Sequence, residues 1–522
     1  MKKRFTIPQF YVFTLLTLLF CSCSNFGCKP TGDDPFDQSG FNALDNNLNK
    51  RAEAYFDATL PQGELKPSGE SKVYIDFSNG LIQAYKGAND NAAMLEKITQ
   101  KLTGPEIKWF GLGKGQIYPL NFPTGQLYNK VADPNSYASE IMAPIEGAVK
   151  EITASNGDAL LVTDFEEYTT AKKEQFDNFA KVYFIDWLSK GNSIDFYITN
   201  YKEKTKDRRT VDKHLYFIVF NYGPAKKLLG DINYAFNGRG FKYETFSLST
   251  DFYTITNEYS AEKKGGNYYD KEGNDIISSL DANQYVNGLK KNNKMFEFYS
   301  FQQPWKDIYS NSKSMMATGA AVPFTDFFRK IYLDASKDDV FKLKGLEVKV
   351  NDVTEDFLFY AKTQEALLHK PMLAKDANGK TIINTKEVNP IALSCYDAKG
   401  KLLDAWVYKP KEKTLIKEVF VLNSELYNNG FKDTKNKIEL GTKYSANFNG
   451  TQITNPNGLL RVDLVIADCN PNFDKLNLFK WESTTIAGKS NESLAEAIRN
   501  TLDKVNPKGK VIYSYFIKSS DQ

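Results

Sequence analysis

Histidine and cysteine are scarce in this chain. His214 and His369 are the only imidazoles in 522 residues. A Ser-His-Asp or Cys-His relay needs an imidazole beside its nucleophile, and neither histidine falls at a strand end next to one. Histidine-based zinc chemistry is disfavoured on the same ground. Of five cysteines, Cys21, Cys23 and Cys28 crowd near the N-terminus, and none has zinc-binding spacing. Cys395 and Cys469 remain for the folded body. A disulfide in an oxidising compartment and two separate buried thiols both stay open. Excess charge is also missing. The 67 basic residues outnumber the 64 acidic ones by three, and Lys2, Lys3 and Arg4 supply that difference. A nucleic-acid protein, whose affinity rests on phosphate neutralisation, is therefore not expected.

Long apolar runs are absent apart from Phe10–Phe20. That run is short for a transmembrane helix and follows three basic residues, the pattern of a signal-peptide core. "LLFCSCSN" comes next, with small Ser22 before Cys23. This resembles a bacterial lipoprotein signal, which implies residues 1–22 as signal and Cys23 as the lipidated first residue. Residues 23–40, with Pro30, Gly32 and Pro35, read as a tether. A helical segment is expected within 41–69, on the spacing of Phe41, Leu44, Leu48 and Tyr55.

Aromatic residues are plentiful, at 14% of the chain. From residue 70 to 240 apolar strands alternate with amphipathic helices, which predicts an open, mostly parallel α/β sheet. "DALLVTDFE" is a continuous apolar strand, as in a sheet covered on both faces. Helices are expected over Ser139–Ile152 and Ala171–Leu188. "SIDFYIT" and "LYFIVF" are separated only by the charged loop Asn200–His214, too short for a crossover helix, so a hairpin is expected there. The lysines and arginines of that loop read as a solvated hairpin tip. Residues 241–522 read as a β-rich region of one or two antiparallel, sandwich-like modules. A helix is expected at Phe324–Asp334. A hairpin is expected from "PIALSCY" to "KLLDAWVYK". A C-terminal helix over Ser493–Lys504, with Ser493 and Glu496 at capping-box spacing, precedes a last strand "KVIYSYFIK".

The stretch "SKVYIDFSNGLIQAY" poses the functional question. Its strand ends in Asp76, Ser78 and Gly80, and "LLVTDFEE" ends in Asp164, Glu166 and Glu167. Ligands of open α/β sheets sit beyond the carboxyl ends of strands. "FGLGKGQ" lacks the full P-loop pattern. "DKEGND" and "DANGK" lack the ligand ladder of a calcium loop and read as turns.

The two acidic strand ends, with a helix between them, resemble the von Willebrand factor A fold and its metal-ion-dependent adhesion site. Asp76 and Ser78 match the first two positions of its Asp-x-Ser-x-Ser element, and Gly80 stands where the second serine belongs. Ser139, then Ser136, are the candidates for the threonine position, and Asp164 matches the final aspartate. The resemblance implies Mg²⁺ or Mn²⁺ on Asp76, Ser78, Ser139 and Asp164. It also implies a binding module and not an enzyme; together with the lipoprotein-like signal, it implies a lipid-anchored cell-envelope protein that binds a protein or another envelope component. A metal-dependent hydrolase using Asp76, Asp164 and Glu166, and a metal-free scaffold, are the alternatives.

Overall fold

The computed structural model describes most of residues 69–257, 340–422 and 437–519, with short segments at 54–59, 262–301 and 331–334. The first part alternates strands and helices: β1 (Ser71–Asp76), α1 (Leu81–Lys86), α2 (Asn91–Lys101), β2 (Ile107–Gly113), β3 (Gln116–Pro119), α3 (Ile145–Thr153), β4 (Ala159–Thr163), α4 (Ala180–Ser189), β5 (Ser193–Lys204), β6 (Thr210–Asn221), α5 (Lys227–Phe236) and β7 (Glu244–Leu248). They build one seven-stranded sheet of order β3-β2-β1-β4-β6-β5-β7.

The sheet is α/β as expected, but it is not mostly parallel. Only β2, β1 and β4 run parallel. The remaining pairs are antiparallel. Connection length is the reason, since parallel neighbours need a crossover of about a dozen residues or more. The β2–β3 turn is Lys114–Gly115, both at positive φ (53° and 72°), the conformation favoured in two-residue hairpins. β5 and β6 form the expected hairpin, but they run further than the sequence suggested. Their register continues to Lys204↔Thr210, so the turn is only Thr205–Arg209. β7 pairs with β5 and carries the sheet past the boundary expected at residue 240.

Period-two alternation along the strands feeds two apolar layers. Val73, Ile75, Leu160, Val162, Leu215 and Phe217 pack on the face covered by α1, α2 and α5. Tyr74, Leu161, Ile218 and Phe220 pack with α3 and α4 on the other. The α4 helix starts at Ala180, not Ala171, because Tyr168 and Glu174 form a β-bridge upstream of it. The described part of the expected Ser139 helix begins at Ile145.

The second part centres on a six-stranded sheet. Its longest pair is Phe341–Asp352 antiparallel to Leu459–Pro471, irregular around Gly345. The C-terminal helix and the last strand form as expected, over Ser493–Lys504 and Val511–Ser519. No capping box forms at Ser493; the N-cap is Glu492, without a side-chain cap, and Asn491 Oδ1 just before it accepts the Ser493 N–H at 3.0 Å. Leu494, Ile498 and Leu502 of that helix share a core with Phe184 and Trp187 of α4, so the two parts meet in one apolar layer. Ile331–Asp334 is a strand where the end of a helix was expected. Of "PIALSCY…KLLDAWVYK", the described residues, from Ser394 on, show a Tyr396↔Leu402 bridge across the turn Asp397–Gly400, followed by a 3-10 turn at Asp404–Trp406. Cys395 and Cys469 are separate buried thiols. No helix among the described residues is long and apolar enough to cross a membrane.

Candidate functional site

The central parallel trio delivers the site. β1 and β4 are neighbours, so their carboxyl ends place Asp76 and Asp164 side by side. Asp76 is fully buried. Its Oδ1 accepts the Ser78 N–H at 2.7 Å, and its Oδ2 accepts the Thr163 hydroxyl at 2.7 Å. Thr163 in turn accepts the Phe165 N–H at 3.0 Å, which turns the chain sharply after β4. Phe165 adopts φ 62°, an uncommon conformation for a bulky side chain, and its ring stacks on Phe179. Asp164 accepts the Glu166 N–H at 3.0 Å and the Tyr201 hydroxyl at 3.0 Å.

The sequence reading missed the residues that complete the site. Lys213 is buried, and its ammonium donates to Glu166 in a very short contact. Asp164 and Glu203 lie 3.6 and 3.8 Å from the same nitrogen, and the Trp481 ring lies 6.0 Å away. The expectation that this charged loop is a solvated tip therefore fails at Glu203 and Lys213. Both lie on the inward face of the β5–β6 hairpin. Alternation of Tyr201 and Glu203, facing Lys213 and Val211 across the register, was the available signal. A segment far along the chain closes the cluster. Thr484 donates to Glu166 Oε1 at 2.8 Å and accepts from Tyr168 at 2.5 Å. Arg209, at the hairpin turn, holds the same segment through Glu482 and the Thr484 carbonyl.

Three carboxylates, Asp164, Glu166 and Glu203, thus share one buried ammonium, and a fourth, Asp76, is buried close to Asp164 without reaching it. The imbalance shows in their protonation. Burial, then the charge of Asp164, pushes Asp76 up to about 7, against the opposing Ser78 and Thr163 hydrogen bonds. Burial pushes Glu166 up to about 8; Lys213 opposes this, and Asp164 and Glu174 add to it. Glu203 is also raised, mainly by burial. Burial alone would lower the Lys213 ammonium, but Glu166, Asp164 and Glu203 reverse that and hold it above its usual value. Two buried polar atoms aimed at this cluster make no hydrogen bond: the Tyr85 hydroxyl and Glu203 Oε2. Tyr85 is held well above its usual value by burial and by the charges of Asp76 and Asp164.

Carboxylate oxygens of Asp164, Glu166 and Glu203 lie within 4.8 Å of one another. A buried cluster of this kind could bind a metal ion. The set differs from the expected one. Asp76, Ser78 and Asp164 meet at the strand ends, whereas Ser139 and Cys23 lie outside the described residues. Ser136 ends a 3-10 turn, Pro134–Ser136. Gly80 cannot take the missing hydroxyl freely, since a Cβ there would lie 2.9 Å from Glu203 Oε1. Gly80→Ala is accordingly expected to cost about 1–3 kcal/mol, read as a lower denaturant midpoint with an unchanged slope.

No family model and no solved structure matches this chain. The phosphoribosylaminoimidazole-succinocarboxamide synthase of Pyrococcus horikoshii is 25% identical to it over 232 residues, which is 42% of this chain and 93% of that protein. That relative is an enzyme, so the expectation that the chain is not an enzyme does not stand.

Proposed function

We propose that this chain is a lipid-anchored cell-envelope protein that binds a protein or another envelope component at the carboxyl end of its α/β sheet, with Mg²⁺ or Mn²⁺ on the carboxylate cluster. The observation that supports it is the charge imbalance at the strand ends, where three buried carboxylates face one ammonium and a fourth, Asp76, is buried beside Asp164. A hard divalent cation prefers such oxygen ligands and offsets their repulsion. Asp164 and Glu203 would hold it, with Asp76 and the Tyr85 hydroxyl beside them and Glu166 kept by Lys213. In cells, Cys23→Ala is expected to move the protein from the membrane to the soluble fraction. Cross-linked envelope partners of the wild type are expected to disappear with EDTA and in Asp164→Asn. Membrane retention of Cys23→Ala, or partners indifferent to both EDTA and Asp164→Asn, overturns this reading.

A second reading is catalytic, in keeping with a relative that is an enzyme, although that relative is named as a synthase and does not point to hydrolysis. The same carboxylates with a metal ion can activate water, as in a hydrolase. On that reading Asp164→Asn abolishes turnover while leaving the fold intact.

A further inference from the structure

The carboxylate cluster is sealed. Asp76, Asp164, Glu166, Glu203 and Lys213 are all buried, so an ion reaches their oxygens only after a covering segment moves. One such segment is the hairpin of residues 481–491, whose ends pair as Trp481↔Asn491 and Glu482↔Ser490. Its tip closes on itself. The Lys489 carbonyl accepts the Ser483 N–H at 2.8 Å, and the Ser483 hydroxyl oxygen accepts the Ile486 N–H at 2.9 Å. Residues 485–490 are exposed, and Gly488 sits at φ 69°. A tip with so little buried apolar surface belongs to the low end of local stability.

Polar ties hold the tip down. Buried Glu174 accepts the Ser483 hydroxyl at 2.5 Å, the Thr485 hydroxyl at 2.8 Å and the Asn491 side-chain amide at 2.7 Å. Arg209 donates to Glu482 at 3.2 Å and to the Thr484 carbonyl at 3.4 Å. The Lys489 ammonium rests 3.7 Å over the Phe176 ring. Within these ties, Thr484 reaches Glu166 and the Trp481 ring lies beside Lys213. Closure leaves one group unmet. The Trp481 indole N–H is buried without a hydrogen-bond partner, and such a donor costs stability that water would restore.

We infer that this hairpin is a flap that opens to admit the cation, with Glu174 and Arg209 as its two latches. Both latches belong to the first part of the chain and the flap to the second, so the second part controls access to a site the first part builds. The inference rests on the cation reading of the cluster, but the opening itself is read without any ion. Lys213 is the reporter, sealed from reagents when the flap is shut and reachable when it is open.

The test treats the full chain with acetic anhydride and follows each lysine by peptide mass spectrometry. In the wild type, exposed Lys108 and Lys504 are expected to react fast and Lys213 slowly. Low urea should leave the Lys213 rate unchanged, because a local opening exposes little surface. Arg209→Ala and Thr485→Ala, one change at each latch, are each expected to raise the Lys213 rate about tenfold, with Lys108 and Lys504 unaffected. Mn²⁺ association and dissociation should quicken together in both variants and leave Kd nearly constant, as for a gate shut in the free and the loaded protein alike. A Lys213 rate that stays at the wild-type value in both variants, or that climbs with urea in step with global unfolding, overturns the flap. Faster acetylation with unchanged Mn²⁺ rates overturns it as the cation's entrance. A wild type that binds no Mn²⁺ overturns the cation reading and the entrance with it, while faster acetylation in the variants then still establishes the flap.

Discussion

Lys213→Met is expected to destabilise the folded chain by about 3–5 kcal/mol, the usual cost of leaving buried charges without their partner. Methionine keeps most of the length and fills the space beside Trp481, so the loss reports charge more than volume. Glu166, Asp164 and Glu203 all face this one ammonium at the carboxyl end of the sheet. Removing it leaves them to repel one another or to take up protons. Lys213→Arg is not a neutral control, because the planar guanidinium needs more room than the ammonium has. Chemical unfolding at pH 7 reads the effect. Divalent cation should recover part of the Lys213→Met loss, since the ion then replaces the missing charge among the same oxygens. A loss below about 1 kcal/mol would place the cluster in water and remove the electrostatic account.

Stability of the metal-free wild type is expected to fall as pH rises from about 4 to about 8. Asp76 titrates near its ordinary 3.8 when unfolded and at about 7 when folded. Below both values the two states carry the same proton. Between them the folded chain holds a proton that the unfolded chain has released, so each rise in pH favours unfolding. At about 1.4 kcal/mol per pH unit, Asp76 alone contributes a loss of roughly 4 kcal/mol by pH 8. Most proteins show the opposite trend on the acid side, because their carboxylates are paired and lowered. Asp76→Asn should flatten the decline. Mg²⁺ at about 100 times its Kd should offset about 2.7 kcal/mol at pH 8 and much less at pH 5, where protons already occupy the oxygens. Thermal unfolding across this range, with and without Mg²⁺, checks both statements. Stability that rises with pH between 5 and 8, equally in wild type and Asp76→Asn, would contradict them.

The legible part of the site was the part carried by single strands. "YIDFSNG" and "LLVTDFEE" each announce an apolar strand ending in acid, and adjacent parallel strands put such ends together. The hairpin of β5 and β6 was legible too, from the short connection. Its inward face was not. "YKEKTKDRRTVDKH" has the composition of a solvated tip, and composition outweighed the alternation that sends Glu203 and Lys213 inward with Tyr201 and Val211. The mistaken sheet direction has a similar origin. An apolar strand buried on both faces reads the same whether its neighbours run parallel or antiparallel, and only the connections decide. Thr484 and Trp481 were beyond reach for another reason. They meet Glu166 and Lys213 across about three hundred residues of chain, and nothing local in "FKWESTT" points there. Gly80 shows the reverse case. As a motif position it looked like a lost ligand, whereas in the fold it makes room for Glu203, a carboxylate supplied from another strand.

The central claim is that the carboxyl ends of β1 and β4, with Glu203 of β5, hold a divalent cation beside Lys213. Titration of the chain with Mn²⁺, following free Mn²⁺ by its electron paramagnetic resonance signal at pH 8, tests it most directly. A single saturable site is predicted, weakened by added Mg²⁺, lost in Asp164→Asn and in Glu203→Gln, and kept in Ser78→Ala. No saturable binding in the wild type, or binding that both replacements leave unchanged, would contradict it.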